Sequence, residues 1–442
     1  MNLKPLQTTV GKLQTALHSK AKAEPKYRFY ALYDKIYRPD VLTVAYHRCR
    51  SNQGAAGVDG QTFADIEKYG EEKWLGELTK ELKDKTYQPS PVRRVWIPKA
   101  DGKQRPLGIP TIRDRVVQTA ATLVLEPIFE ADLQPEQHAY RSGHSALDAV
   151  KEVQGLLDRG YREVVDADLS GFFDSIPHHE LKKCVARRIS DGNMLRLISQ
   201  WLEAPVEEID ERGRTRRTTR NKDEGRGTPQ GGVASPLLAN LYMRRFVLGW
   251  KVLDHVKRLN AHIVNYADDF VILCRGRAAD ALAAMRAMMD RLRLTVNEKK
   301  TRRCNLPGDT FMFLGYTFER RYSRQTGRAY IGPAPAAQKV QRLCRNLSDS
   351  TDRRTCSMAT EEKVRTLNLK IRGWANYFCL GAVVQAYDTV MQHARRRLRR
   401  WLCRKYRVRV GQYTRFPNEY LHDKLGLIQL RRTRQNLLWA KG

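Results

Sequence analysis

Residues 265–273 read Asn-Tyr-Ala-Asp-Asp-Phe-Val-Ile-Leu, so two adjacent carboxylates, Asp268 and Asp269, interrupt a run that otherwise has the character of a buried strand. The stretches on either side, 262–266 and 270–273, are short and rich in β-forming residues. A β-hairpin with the acids at its tip is therefore expected. An ordinary hairpin turn accommodates Asp-Asp too, but two carboxylates held side by side repel each other and favour cations. Divalent ions about 3.5–4 Å apart are what in-line phosphoryl or nucleotidyl displacement uses. Such a site needs a carboxylate from another strand, and residues 161–169 offer one. There Val165, Ala167 and Leu169 point to one face of a strand while Asp166 and Asp168 point to the other. An acid facing a core is costly unless a cation accompanies it.

The formal charge is +32, from 80 Lys+Arg against 48 Asp+Glu. Solubility needs far less, and an extended polyanion is the natural partner. No run of about 18 apolar residues occurs and the first residues lack the apolar core of a signal peptide, so a cytoplasmic protein without a membrane partner is expected. The eight cysteines are scattered without a Cys-x-x-Cys pair, which argues against a zinc ribbon or a disulfide framework.

Residues 1–26 read as a flexible basic arm. Helical spacing over 27–50 is broken at Pro39, and 54–60 is a glycine-rich loop that suits either phosphate approach or a plain turn. A charged helix over 61–85 precedes a hairpin whose strands are 91–98 and 104–109, decorated by Arg93, Lys99 and Arg105. Helices follow over 113–130, ending near Pro127, and over 146–157. Residues 211–226 carry seven Arg or Lys, including Arg216 and Arg217, and read as an exposed loop; 227–236 is a glycine- and proline-rich loop leading into a helix over 237–250. Methionines at 285, 288 and 289 mark an amphipathic helix, and 319–336 reads as a polar connector. The last third is helical, and between 389 and 418 ten Arg or Lys stand against no acid, with Trp401 and Tyr406 interleaved. That mixture suits stacking on bases and pairing with phosphates.

In this order the motifs resemble those of bacterial group II intron-encoded reverse transcriptases, also called maturases, in the form without an endonuclease. YADD at 266–269, DADLSGFFDSI at 166–176, GTPQGGVASPLLANLY at 227–242, NEKKT at 297–301 and FLGY at 313–316 carry the resemblance. IPKADGKQRPLGIP at 97–110, HAYRSGHSALDAV at 138–150 and RGWANYF at 372–378 extend it, and it spans roughly residue 27 to the end.

The resemblance implies an α+β right-hand polymerase with an antiparallel palm sheet, helical-plus-hairpin fingers and a C-terminal helical thumb. The implied boundaries are fingers at 27–160, palm with finger insertions at 161–318, connector at 319–336, thumb/maturase domain at 337–404 and a short basic nucleic-acid-binding tail at 405–442. Asp168, Asp268 and Asp269 are implied to hold two Mg²⁺ ions, with Mn²⁺ a substitute, and Asp166 is the less apt ligand. Lys300 is implied to act on the leaving pyrophosphate. Lys99, Arg105, Gln230 and, more weakly, Arg93 are implied to line the nucleotide site, and Phe173 to block a ribose 2′-hydroxyl, with Phe172 its neighbour. Intron RNA, an RNA template with DNA primer, dNTPs and target DNA are the implied partners, in a monomer or a dimer. Arg216, Arg217, Arg395, Arg396, Arg397, Arg399, Arg400, Trp401, Arg404 and Lys405 are the candidate nucleic-acid contacts. A splicing-only RNA-binding factor, and a domesticated reverse transcriptase serving defence or repair, are the rival readings.

Overall fold

The computed structural model describes residues 3–98, 104–210, 214–323 and 326–431. Its centre is an antiparallel sheet in the order β6-β7-β3-β8, where β3 is Glu163–Ala167, β6 Ala261–Tyr266, β7 Asp269–Cys274 and β8 Arg302–Asn305. Consecutive residues of β3 and β7 are buried on both faces. Val165, Phe270 and Ile272 join one core with the helices Ile112–Glu130 and Ser235–Val252, while Val164, Val271 and Leu273 join another with Phe311, Phe313 and Phe318. A sheet covered on both sides reads as a continuous apolar run, which is why Phe-Val-Ile-Leu shows no alternation.

A second sheet, ordered β2-β1-β4-β5, forms the fingers: β1 is Val92–Pro98, β2 Gln104–Ile109, β4 Val206–Ile209 and β5 Thr215–Thr218. The arginine-rich segment expected as an exposed loop supplies β5 and a one-turn helix, Arg220–Asp223. Arg216 and Arg217 stand opposite Glu208 and Glu207 of β4, so opposite charges across the pair offset the repulsion among the arginines.

The N-terminal arm is a helix, Leu3–Ala23, packed through Val10, Leu17 and Ala21. Its attachment also explains why Pro127 sits inside the helix Ile112–Glu130 instead of ending it. Proline has no N–H, so the carbonyl four residues earlier, on Leu123, loses its helical partner. Gln14 Nε2 of the N-terminal helix donates to that carbonyl at 3.0 Å, and His18 Nδ1 lies 3.0 Å from the Pro127 carbonyl. The fully buried Arg188 then donates to the Ala21 carbonyl at 2.7 Å, closing the helix C-terminus.

The expected connector at 319–336 belongs instead to a third sheet, β11-β10-β9, with β9 at Phe311–Phe313, β10 at Tyr316–Tyr322 and β11 at Ala329–Pro335. Seven residue pairs join β10 to β11, and Gln154 ties β11 to the helix Ala146–Asp158 through the Ile331 carbonyl at 2.9 Å. The thumb comprises the helices Ala337–Ser350, Thr360–Tyr377 and Val384–Lys405 around Leu347, Leu367, Ile371, Leu398 and Trp401. The segment expected as a separate basic tail packs on it as far as Arg431: Phe416, Leu421 and Leu427 enter the same core, and Asn368 bridges Gly426 and Ile428 at 2.8 Å each. Residues 432–442 of that expected tail lie outside the described residues.

Candidate active site

In the β3–β7 ladder Ala167 faces Phe270 and Asp166 faces Val271. One step further, the same register sets Asp168 opposite Asp269, and residues opposite each other share a face of the sheet. The β6–β7 hairpin closes with Tyr266 opposite Asp269, leaving Ala267 and Asp268 as a two-residue turn. Ala267 takes φ 58°, the left-handed conformation such a turn demands, at a cost of about 1–2 kcal/mol for a residue with a Cβ. Buried Asn265 braces it: Nδ2 donates to the Ala267 carbonyl at 2.8 Å, while the Asn265 backbone bonds Glu136 and His138 at 2.9 and 3.0 Å.

Asp168 is gripped by the segment after the helix Ala278–Arg291. Its Oδ2 accepts from Asn297 Nδ2 at 2.9 Å and from Lys300 Nζ at 3.1 Å, and its carbonyl accepts from Asn297 N at 2.8 Å. Asn297 is absent from the candidate residues of the sequence reading, because an amide announces no acid–base or charge chemistry; its signal lay only in its place at the head of NEKKT.

The electrostatics single out Asp269. Desolvation by the surrounding protein, then repulsion from Asp268, Asp168 and Asp166, push its carboxyl from the ordinary 3.8 up to about 6, against the opposing charge of Lys300. Burial also raises Asp166, but this acid has its own counter-charge in Arg302 at 3.4 Å. Among the described residues no three His, Cys, Asp or Glu side chains are already gathered as a ligand set, Asp168 being turned to Lys300 and Asn297. The donor chemistry nevertheless fits hard divalent cations: the neighbouring acids are all carboxylates, and they repel one another. From Asp166, Asp269 and Lys300 a cleft of about 1010 Å³ extends past the β9–β10 turn to Lys339, Arg342, Lys370 and Trp374 of the thumb.

Beside the acids, the three segments expected at a nucleotide site meet at Gln230. Its Oε1 accepts from Arg105 Nε at 3.2 Å, its Nε2 donates to Asp174 at 3.2 Å, and its carbonyl accepts from Gly108 N at 2.5 Å. Gly231 is required at this crossing, since it has φ 109° and a Cβ would collide with the Gly108 carbonyl. Phe173 and Phe172 are both buried, at 7% and 2% exposure, with rings edge to face at 5.6 Å; Phe173 is the more accessible. The charge of Arg94 acts on Asp174, whereas that of Arg93 acts on Arg115 on another side. Lys99 lies outside the described residues.

The basic thumb residues divide into two groups. Trp401 is fully buried, with Nε1 on Thr355 at 3.1 Å, so it stacks on no base. Buried Arg399 bonds the Phe416 carbonyl and Asn418 at 2.8 Å each, and Arg397 bonds Thr351 and the Ser348 carbonyl at 3.0 and 2.8 Å. Lys405 holds the Cys356 and Met358 carbonyls, and Arg395 donates to His422 Nε2 at 3.0 Å. These side chains bond groups of the thumb itself, and Arg397, Arg399 and Lys405 reach its backbone carbonyls. Arg396, Arg400 and Arg404, spaced by four on one helix face, are exposed, as are Arg216 and Arg217.

The family model "Reverse transcriptase (RNA-dependent DNA polymerase)" matches residues 97–318, and "Group II intron, maturase-specific domain" matches 340–417. Protein YkfC of Escherichia coli (strain K12) is 32% identical, across 74% of this chain and 92% of its own length. Group II intron-encoded protein LtrA of Lactococcus lactis subsp. cremoris is 38% identical over 51% of this chain and 36% of LtrA, and the uncharacterized 91 kDa protein in cob intron of Schizosaccharomyces pombe is 26% identical over 78% and 50%. The chain thus matches most of YkfC, but half or less of the other two. The acids at the palm turn fall within the first match and most of the thumb within the second, and the chain belongs to the group II intron reverse transcriptases, RNA-dependent DNA polymerases that carry a maturase domain.

Proposed function

We propose that this chain extends a DNA primer on an RNA template with dNTPs, and that it also binds a group II intron RNA to promote its splicing and mobility. The observation that carries the polymerase reading is the register that continues from Ala167–Phe270 to Asp168 and Asp269, next to Asp268 in the turn. Reverse transcriptases use divalent metal ions; we assign Mg²⁺ to Asp168, Asp268 and Asp269, with Mn²⁺ as substitute. Such ions, when bound, neutralise the acids and favour ionisation of the primer 3′-hydroxyl.

The remaining roles belong to side chains. Lys300, an exposed ammonium 3.1 Å from Asp168, is assigned proton donation to the leaving pyrophosphate. Arg105, with Lys99, grips the triphosphate; Gln230 holds Arg105; Phe173 excludes the 2′-hydroxyl. Arg396, Arg400 and Arg404, with Arg216 and Arg217, contact RNA phosphates, and the affinity should fall steeply with salt. Target DNA as a further partner and action in the bacterial cytoplasm belong to the same proposal. The test is primer extension on an RNA template with dNTPs and Mg²⁺, comparing the unaltered chain with Asp268→Ala. Full-length cDNA from the first and none from the second supports the assignment; no product from either, with RNA binding retained, defeats the polymerase reading.

A further inference from the structure

Asp174 lies on the short helix Phe172–Ser175, next to the aromatic pair, and none of the roles assigned above uses it. Its side chain is exposed, yet its surroundings are cationic: Arg94, Arg220 and Arg105 all act on it. Its carboxylate accepts from Gln230 Nε2 at 3.2 Å, and Gln230 in turn meets Arg105 at 3.2 Å. We propose that Asp174 is a positioning residue for the incoming nucleotide, acting through Gln230 to hold Arg105 toward the triphosphate. This inference rests on the polymerase reading and deepens it.

Donor and acceptor chemistry fixes the orientation of the relay. An ionised carboxylate only accepts hydrogen bonds, and a guanidinium only donates them. Between the two, the Gln230 amide has a single satisfactory orientation, NH₂ to Asp174 and carbonyl to Arg105. A neutral amide at position 174 would offer both a donor and an acceptor, and Gln230 could then turn its NH₂ against Arg105.

The mounting around this relay is rigid. Thr228 N donates to the Phe173 carbonyl at 2.7 Å, Gly227 N to Ile176 at 2.9 Å, and His178 N to Gly225 at 2.8 Å. The turn after β3 is therefore laced to the loop that carries Gln230. The same loop is bonded to β2 through Gly108. Only the side-chain amide is left free to choose a direction, and Asp174 makes that choice.

The experiment is single-nucleotide primer extension by Asp174→Asn, Gln230→Ala and the double variant, with dNTP titration and a thermal melt of each protein. Loss of a charge-assisted hydrogen bond is expected to raise KM for dNTP about tenfold in Asp174→Asn, with kcat reduced by no more than about twofold. Asp174→Glu, which keeps the acceptor, is expected to recover part of the loss. In the Gln230→Ala background the Asp174→Asn change should add nothing, because the path it acts through is gone. A KM unchanged in Asp174→Asn, effects of the two substitutions that multiply, or a fall in kcat matched by a lowered melting temperature overturns the proposal while the unaltered enzyme remains active. An unaltered enzyme that extends no primer overturns the polymerase reading itself, and the positioning role with it.

Discussion

Replacing Asp269 by asparagine removes one charge from a crowded set of carboxylates while keeping the shape of the side chain. With its carboxyl pushed up from 3.8 to about 6, Asp269 binds a proton more readily in the folded than in the unfolded chain. Between those two values folding takes up protons, so stability falls as pH rises from about 4 to about 6, and the whole penalty is present at neutral pH. For a fully desolvated group that gap corresponds to about 3 kcal/mol. Asp269 faces an open cleft, and solvent screening reduces the figure to about 1 kcal/mol. Asp269→Asn is therefore expected to be the more stable protein, by about 1 kcal/mol, in denaturant titrations with EDTA at pH of about 7.5. On acidification the advantage should shrink, and it should be gone below about pH 4, where the carboxyl is protonated in the unfolded chain as well as in the folded one. Adding Mg²⁺ should reverse the order, stabilising only the unaltered protein, and primer extension by the variant should be lost. A variant equally or less stable in EDTA at neutral pH, or an advantage that does not diminish on acidification, refutes a charge penalty at Asp269.

Other perturbations test separate links. Asn297→Ala removes one of the two side-chain donors on Asp168 and is expected to lower kcat about tenfold and raise the Mg²⁺ concentration needed for half-maximal rate, read by primer extension across a Mg²⁺ series. Phe173→Ala should raise incorporation of ribonucleotides relative to deoxynucleotides in competition assays, and an unchanged ratio removes its assignment as the gate. Gln14→Ala leaves the Leu123 carbonyl without its donor and is expected to cost about 1–3 kcal/mol in denaturant titration, with the N-terminal helix releasing first under limited proteolysis. Charge reversal of Arg396, Arg400 and Arg404 together should weaken RNA binding and flatten its salt dependence, with the thermal melt unchanged because none of the three enters the thumb core.

Local chemistry was legible in the sequence. The β-rich flanks of Asp268–Asp269 marked the hairpin, since a strand keeps its character whatever packs on it. The apolar period of three to four residues likewise marked the methionine-bearing helix Ala278–Arg291. The N-terminal helix had a signal that composition masked: Val10, Leu13, Leu17 and Ala21 recur at helical spacing within a basic, polar stretch. The hairpin at 316–335 and strand β5 had weaker signals, because each gains its stability from a neighbour: β10 for β11, and the acids of β4 for the arginines of β5.

The sequence by itself determined the hairpin with its acids, the net charge that calls for a polyanion, and the order of motifs that identifies the family. Local propensity, charge and spacing are properties of neighbours along the chain. Only the tertiary structure decided that Asp168 falls opposite Asp269, that Asn297 and Lys300 hold it, and that Gln230 stands between Arg105 and Asp174. It also sorted the thumb arginines, turning Arg399 inward onto the Phe416 carbonyl and Asn418 and leaving Arg400 in solvent. The physical reason is common to all of these. Each depends on register between strands or on which face of a helix meets a core, and both are settled by burial of apolar surface between segments distant in sequence.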